Sequence, residues 1–218
     1  MSMTFPYQAI IFDLDGTLID SSPSILQCFG AVLAEVGLQP LVPLTDTLIG
    51  PPLRQTLINL TGTTNNDLLD QLVDRFKARY DTAGYRETKA YAGVDSLLAR
   101  LAESGIPVAI ATNKRRIPTL KIIEYFGWQR FFSLVGTLDT PTPPHANKAA
   151  LIKSQLAELG VNSGSSLYVG DKLEDGEAAL SNDMPFCAAA WGYGQWEKRT
   201  MPSDWHYAES TFELAKFF

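Results

Sequence analysis

Apolar runs of four or five residues alternate along this chain with longer stretches in which apolar residues return every three or four positions. The first run, Ala9-Ile10-Ile11-Phe12, predicts a buried strand. The period then changes. Ile25, Leu26, Phe29, Val32, Leu33 and Val36 recur at helical spacing behind Asp20-Ser21-Ser22-Pro23, which offers caps and an early proline, and the pattern stops at Gly37. A turn-rich loop from Thr45 to Arg54 opens a second helix through Leu60. Asp67 to Tyr80 forms a third, with Leu68, Leu69, Leu72, Val73 and Phe76 inward. From Tyr91 the rhythm becomes β/α: a helix from Gly93 to Ser104 stopped by Gly105, a strand from Pro107 to Ala111, a helix from Ile117 to Phe126 and a strand from Phe131 to Gly136. After a Pro-rich loop, Lys148 opens a helix, Ser166 to Asp171 is a strand, Ala178 to Leu180 pack the next helix, and Pro185 to Trp191 is a short strand. The tail mixes aromatics with a last helical turn around Phe212 and Leu214, and Trp191, Trp196 and Trp205 read as cover for the core. This order predicts an α/β fold: a Rossmann-like three-layer core with a mostly parallel sheet of five or more strands, plus an inserted all-helical domain. The core is expected at residues 1–19 and 86–218 and the insertion at 20–85.

Composition narrows the classes. The 218 residues suffice for one sizeable core and a smaller second unit, at roughly 150 residues per domain. With 45% apolar and 19% charged residues, a packed core is expected and wholesale disorder is not. The formal net charge is −6 and the longest basic cluster is Lys114-Arg115-Arg116, which argues against nucleic acid as a partner. No apolar stretch approaches a membrane span, and Met1 to Tyr7 lacks the basic and hydrophobic regions of a signal peptide. A cytoplasmic protein with no membrane partner is expected. Cys28 and Cys187 lie far apart, neither in a C-x-x-C, and read as reduced, buried thiols.

In open α/β sheets ligands bind at the carboxyl ends of the strands, and the polar oddities of this chain fall there. Asp13 and Asp15 follow the first strand, on the same side of an extended backbone, with Gly16 allowing a tight turn away. Thr112 and Asn113 follow the second, and Asp171 and Asp175 the fourth. Each has a plain reading alone: an Asx turn for Asp15-Gly16, a helix cap for Thr112-Asn113, a solvent-facing Lys148. Arg54, after a Gly-Pro-Pro corner, can present its guanidinium to a carboxylate or phosphate, or sit as a solvated residue at a helix start. Together they suggest more. Four carboxylates converging against one lysine need a cation, since two like charges about 4 Å apart repel by roughly 4 kcal/mol at an effective dielectric of about 20. A hard divalent ion with oxygen ligands, Mg²⁺, is implied, and no His/Cys cluster suggests zinc. An aspartate can also act as a nucleophile that forms an acyl phosphate, with a neighbouring carboxyl group moving the proton on and off the leaving oxygen. Asp13 and Asp15 have the spacing for that division of labour. Lys148 and the metal would offset the repulsion between carboxylate and phosphate, with Thr112 and Asn113 donating to phosphoryl oxygens.

Phe12-Asp13-Leu14-Asp15-Gly16-Thr17-Leu18, Ala111-Thr112-Asn113-Lys114, Lys148, and Val169-Gly170-Asp171 with Asp175 resemble the four motifs of the haloacid dehalogenase superfamily in order, spacing and β/α context. The helical insertion resembles that family's C1 cap, and Ile49-Gly50-Pro51-Pro52-Leu53-Arg54 resembles the cap loop of phosphoglycolate phosphatases. The resemblance implies Asp13 as nucleophile and Mg²⁺ ligand, and Asp15 as acid/base and as a ligand through its backbone carbonyl. It implies Thr112 and Asn113 as phosphate binders, Lys148 as the charge-neutralising amine, Asp171 as a direct metal ligand and Asp175 as a direct or outer one. Arg54 is the candidate substrate contact from the cap. One departure stands out: the third motif of this group usually reads Lys-Pro, whereas here Asn147-Lys148-Ala149 follows a Pro-rich loop.

The expected function is Mg²⁺-dependent hydrolysis of a small phosphate monoester, phosphoglycolate-like, by a monomer or homodimer whose partner is a small phosphorylated metabolite. A phosphomutase similar to β-phosphoglucomutase would share every core motif, and a non-catalytic binding module is the alternative from another class. A dehalogenase fits less well, since a halide needs no proton donor and Asp15 supplies one. A phosphonatase would need a Schiff-base lysine from the cap, for which no strong candidate stands near the first cap helix.

Overall fold

The computed structural model describes residues 6–218; residues 1–5, part of the segment expected to lack a signal peptide, lie outside them. The first strand, β1 (Ala9–Phe12), is buried throughout, as its unbroken apolar run requires. The chain then makes a two-residue strand, β2 (Ile19–Asp20), and enters three helices: α1 (Ser22–Glu35), α2 (Leu53–Thr61) and α3 (Asn66–Tyr80). These pack on one another through the faces that the periodicity marks, with Phe29 of α1 against Phe76 of α3 at 4.7 Å between ring centroids and Phe76 stacked on Tyr80 at 5.5 Å. The chain returns at β3 (Lys89–Ala90), which pairs antiparallel with β2, Ile19 opposite Ala90 and Asp20 opposite Lys89.

The rest alternates: α4 (Val94–Ser104), β4 (Val108–Thr112), α5 (Arg116–Tyr125), β5 (Leu134–Thr137), α6 (Lys148–Leu159), β6 (Ser166–Gly170), α7 (Leu173–Leu180), β7 (Phe186–Ala189), β8 (His206–Ala208) and α8 (Thr211–Leu214). Six strands form one sheet in the order β5-β4-β1-β6-β7-β8, with every pair parallel. Period-two alternation assigns the two faces. Ile10, Phe12, Val108, Ile110, Leu167 and Val169 pack with α4 and α5, while Ile11, Ala109, Ala111, Tyr168 and Phe186 pack with α6 and α7. That is the three-layer α/β core expected.

Two details differ from the sequence reading. The third core strand begins at Leu134, because Gln129–Phe131 closes a 3₁₀ turn in which Phe131 packs against the core from outside the sheet. The tail supplies a sixth strand, β8, whose three residues are too few and too mixed to show a period. Trp191, Trp196 and Trp205 cover the core as expected, Trp196 and Trp205 lying edge to face at 6.0 Å. Among the described residues no helix is long and apolar enough to cross a membrane.

The chain order reverses at β1: β4 and β5 are added on one side, β6 to β8 on the other. The crevice above the carboxyl ends of β1 and β6 is therefore the topological switch point, where ligands bind in such sheets.

Candidate active site

Asp13 leaves β1 at that crevice, its N–H donating to the Val169 carbonyl of β6 (2.9 Å), and Asp171 leaves β6 beside it. Three chain segments meet here in backbone contact. Gly16 turns at φ +84°, and a Cβ on it would lie 2.2 Å from Asp171 Oδ2; a Cβ on Gly192 would lie 2.2 Å from the Gly16 carbonyl oxygen. The tail locks the arrangement from outside. Tyr193 N–H donates to Asp171 Oδ2 (2.8 Å), Trp196 Nε1 to the Asp171 carbonyl (2.7 Å) and Trp191 Nε1 to the Thr17 carbonyl (3.0 Å). The tryptophans thus hold site backbone as well as cover the core, a role invisible in a tail of scattered aromatics.

Asp13, Asp171 and Asp175 bring carboxylate oxygens within 4.8 Å of one another, all three residues buried. Lys148 Nζ lies 3.1 Å from Asp13 Oδ1 and donates to Asp175 Oδ1, whose other oxygen caps α7 by accepting Lys172 N–H at 2.9 Å. Burial, countered by Lys148 and reinforced by Asp175 and Asp15, pushes the Asp13 carboxyl up to about 6. Burial, with Asp175 and Asp13 adding to it, pushes Asp171 up to about 8. Burial works against the charge on Lys148, but Asp13 and Asp175 hold it well above an ordinary lysine. One lysine does not balance three buried carboxylates. Among the described residues Asp171 Oδ1 is buried with no hydrogen-bond partner, and Asp13 Oδ1, though near Lys148, makes no properly angled hydrogen bond. Two such orphaned hard oxygens facing a third carboxylate fit a small divalent cation such as Mg²⁺.

Asp15 stands apart from this cluster. Its side chain pairs with Lys114 Nζ at 2.9 and 3.2 Å and accepts from Ser21 Oγ. The four carboxylates therefore do not converge on one lysine, as the sequence suggested: three share Lys148, and Asp15 has a cation of its own. Lys114 also donates to the Tyr80 hydroxyl (2.9 Å) at the end of α3 and sits 4.7 Å over its ring. The neighbours of Lys114 reach into the helical insertion as well. Asn113 Nδ2 donates to the Gly50 carbonyl (3.0 Å), and Arg115 makes a two-pronged pair with Asp81 at 2.8 and 2.6 Å. Thr112 Oγ1 accepts from Lys114 N–H (3.2 Å), and Asn113 Oδ1 is buried without a partner among the described residues. Lys114 is the residue that sequence reasoning passed over. Its signal was the surplus of acids over bases at the strand ends.

A cleft of about 280 Å³ opens over Asp13, Asn113, Lys148, Lys172 and Asp175, roofed by the loop at residues 47–52. Arg54 borders neither this cleft nor the smaller chamber on the Asp15 side. Its guanidinium is held by Asp70 and Asn66 of α3, with the side chain 41% exposed. The polar groups that α3 offers lie closer to it than the crevice does.

Residues 10–189 match a family described as haloacid dehalogenase-like hydrolase. The chain is 34% identical over 195 residues to a phosphoglycolate phosphatase of Rhodobacter capsulatus, covering 85% of each. It is 29% identical to the tyrosine-protein kinase PtkA of Mycobacterium tuberculosis, with 86% of this chain aligned but only 64% of that curated relative's length spanned. Among solved structures, a predicted phosphatase from Clostridium acetobutylicum superposes with a TM-score of 0.84 at 25% identity, covering 96% of this chain and 97% of that one.

Proposed function

The chain belongs to the haloacid dehalogenase-like hydrolases, and on that premise we propose that it hydrolyses a small phosphate monoester, phosphoglycolate-like in size, through an aspartyl-phosphate on Asp13. The observation that carries this reading is the sorting of four carboxylates at the switch point into two differently balanced groups: Asp13 with Asp171, Asp175 and Lys148, and Asp15 with Lys114.

In this reading the Asp13 carboxylate attacks phosphorus while Lys148 neutralises part of the charge that the two anions bring together. The Thr112 hydroxyl and the second Asn113 N–H donate to the phosphoryl oxygens. Asp15 gives its proton to the leaving oxygen, then takes one from the water that opens the acyl phosphate. Lys114 and Ser21 hold the Asp15 carboxyl in place for both transfers. Asp13, Asp171 and Asp175 with the Asp15 carbonyl would hold Mg²⁺, which when bound supplies charge neutralisation for the attacking carboxylate and the phosphoryl group. Segment 20–85 acts as a cap over a core of 1–19 and 86–218 and bounds the space for the alcohol; Arg54 takes no part. The buried free thiols of Cys28 and Cys187 support a cytoplasmic setting.

The test is phosphate release from phosphoglycolate, sugar phosphates, nucleotides and pyrophosphate by wild type and Asp13→Asn, with Mg²⁺ or EDTA, together with acid-quench trapping of phosphate on Asp13. Metal-dependent release lost in Asp13→Asn, with label on Asp13, is the expected result. Isomerisation of a hexose 1-phosphate without release would transfer the reading to a mutase, and inertness towards every compound would leave a binding module.

A further inference from the structure

Between the helical insertion and the sheet lies a chamber of about 70 Å³ that borders Asp15 and shares Gly50 and Asn113 with the cleft over Asp13. An ester whose phosphorus is attacked by Asp13 and whose bridging oxygen is protonated by Asp15 has this chamber for its alcohol, so the identity of that alcohol rests on the phosphatase reading. Apolar and polar groups share its walls about equally: Ile25 and Phe29 of α1, Leu48 of the roof, Leu53 of α2 and Phe76 of α3 supply the apolar part.

Charge decides more than shape. Lys114 and Arg115 border the chamber, and both are committed: Lys114 to Asp15 and the Tyr80 hydroxyl, Arg115 to both oxygens of Asp81. Lys172 borders the cleft on the Asp13 side, away from the chamber. Among the described residues that line the chamber, each cation already has side-chain partners, Asp15 and Tyr80 for Lys114 and Asp81 for Arg115. Two polar groups are still on offer: the Asn113 Oδ1, and the Tyr80 hydroxyl, which accepts from Lys114 and keeps its own proton for an acceptor in the chamber.

We infer that the alcohol carried by the natural ester is small and uncharged, on the order of five non-hydrogen atoms by the room available, with apolar carbon against Phe29 and Phe76 and an oxygen that accepts from Tyr80. Glycolate would fit by size, but its carboxylate would enter beside Asp15 with both neighbouring cations taken. The chain thereby parts from relatives described as phosphoglycolate phosphatases.

The experiment compares kcat/KM of the Mg²⁺-loaded wild type for 2-phosphoglycolate, for its uncharged isostere 2-phosphoglycolamide and for isobutyl phosphate. Acetyl phosphate, whose leaving group needs little protonation, reports the chemistry independently of the chamber. The expected result is turnover of acetyl phosphate with the two uncharged esters favoured over phosphoglycolate by about tenfold or more. Leu48→Arg, which adds a cation from the half-buried roof loop, is expected to move the carboxylate-to-amide ratio about tenfold the other way. Acetyl phosphate turnover with phosphoglycolate equal or preferred overturns the inference and leaves the phosphatase reading standing. An unmoved ratio in Leu48→Arg also counts against it, and failure to hydrolyse any of the four overturns the phosphatase reading itself.

Discussion

Replacing Asp171 with asparagine is expected to stabilise the metal-free protein at about pH 8 while disarming it. The Asp171 side chain is fully buried; Oδ2 accepts from Tyr193 N–H, Oδ1 has no partner among the described residues, and burial with Asp175 and Asp13 nearby pushes its pKa up to about 8. In the unfolded chain the same carboxyl titrates near about 3.9. As pH rises the unfolded state gives up this proton first, so the native state must either keep a proton or hold a charge in the dry crevice. Stability from this group is therefore lost progressively between about pH 4 and pH 8 and levels off above. At about 1.4 kcal/mol per unit, the four units separating the two states set a ceiling of about 5 kcal/mol. Asparagine keeps an acceptor for Tyr193 and never ionises. At roughly 2–4 °C per kcal/mol for a chain of this size, Asp171→Asn should melt about 10 °C above wild type in EDTA at about pH 8 and level with it at about pH 4. Thermal unfolding followed by circular dichroism in the two buffers reads the difference. Millimolar Mg²⁺ should narrow the gap at the higher pH, since a cation held by the wild-type carboxylates would stabilise by mass action, by about 2.7 kcal/mol at a hundredfold excess over Kd. A melting point in EDTA at about pH 8 no higher than wild type would refute the reasoning, because the buried charge would then carry no cost.

Lys114→Met leaves Asp15 in its pocket without the paired cation, so urea melts should show a loss of about 3–5 kcal/mol. Turnover of alkyl phosphates should fall far more than that of acetyl phosphate, since only the former need the proton Asp15 delivers; equal losses on both would contradict the assignment. Gly192→Ala would put a Cβ 2.2 Å from the Gly16 carbonyl oxygen and 2.4 Å from Asp171 Cβ. The segments must separate, and most of the Mg²⁺-induced rise in melting temperature should vanish; an intact rise would show that the close approach is dispensable.

Much of this was legible in the chain itself, and the exceptions share a cause. Strands buried on both faces write themselves as apolar runs, which is why Ala9–Phe12 and the Leu167-Tyr168-Val169 stretch of Ser166–Gly170 could be read directly. Carboxylates at their ends are conspicuous because nothing local needs them. Lys114 was not legible as the partner of Asp15, 99 residues away, because such pairing exists only once β1 and β4 lie side by side. Tyr80 stands in the sequence only as the end of the third helix, and its hydroxyl acquires meaning only through that lysine. Arg54 misleads for the opposite reason: its corner promises a presented guanidinium, but Asp70 lies one helix away. Strand β8 lacks length, and in three residues packing outweighs any pattern.

The ribbon at Ile19–Asp20 and Lys89–Ala90 places the exit and the return of the helical excursion one hydrogen-bonded rung apart. To the sheet, everything between is a single loop whose ends are already pinned. The entropy of closing such a loop grows only with the logarithm of its length, about 0.6 kcal/mol for each doubling. The helices can lengthen, shorten or be exchanged at that rung without disturbing the register of any of the six core strands, provided the Gly50 carbonyl, Tyr80 and Asp81 still meet Asn113, Lys114 and Arg115. In the proposed reading the part of the chain that bounds the alcohol is thus the part the sheet feels least, and a lineage could change its substrate while its chemistry stood still.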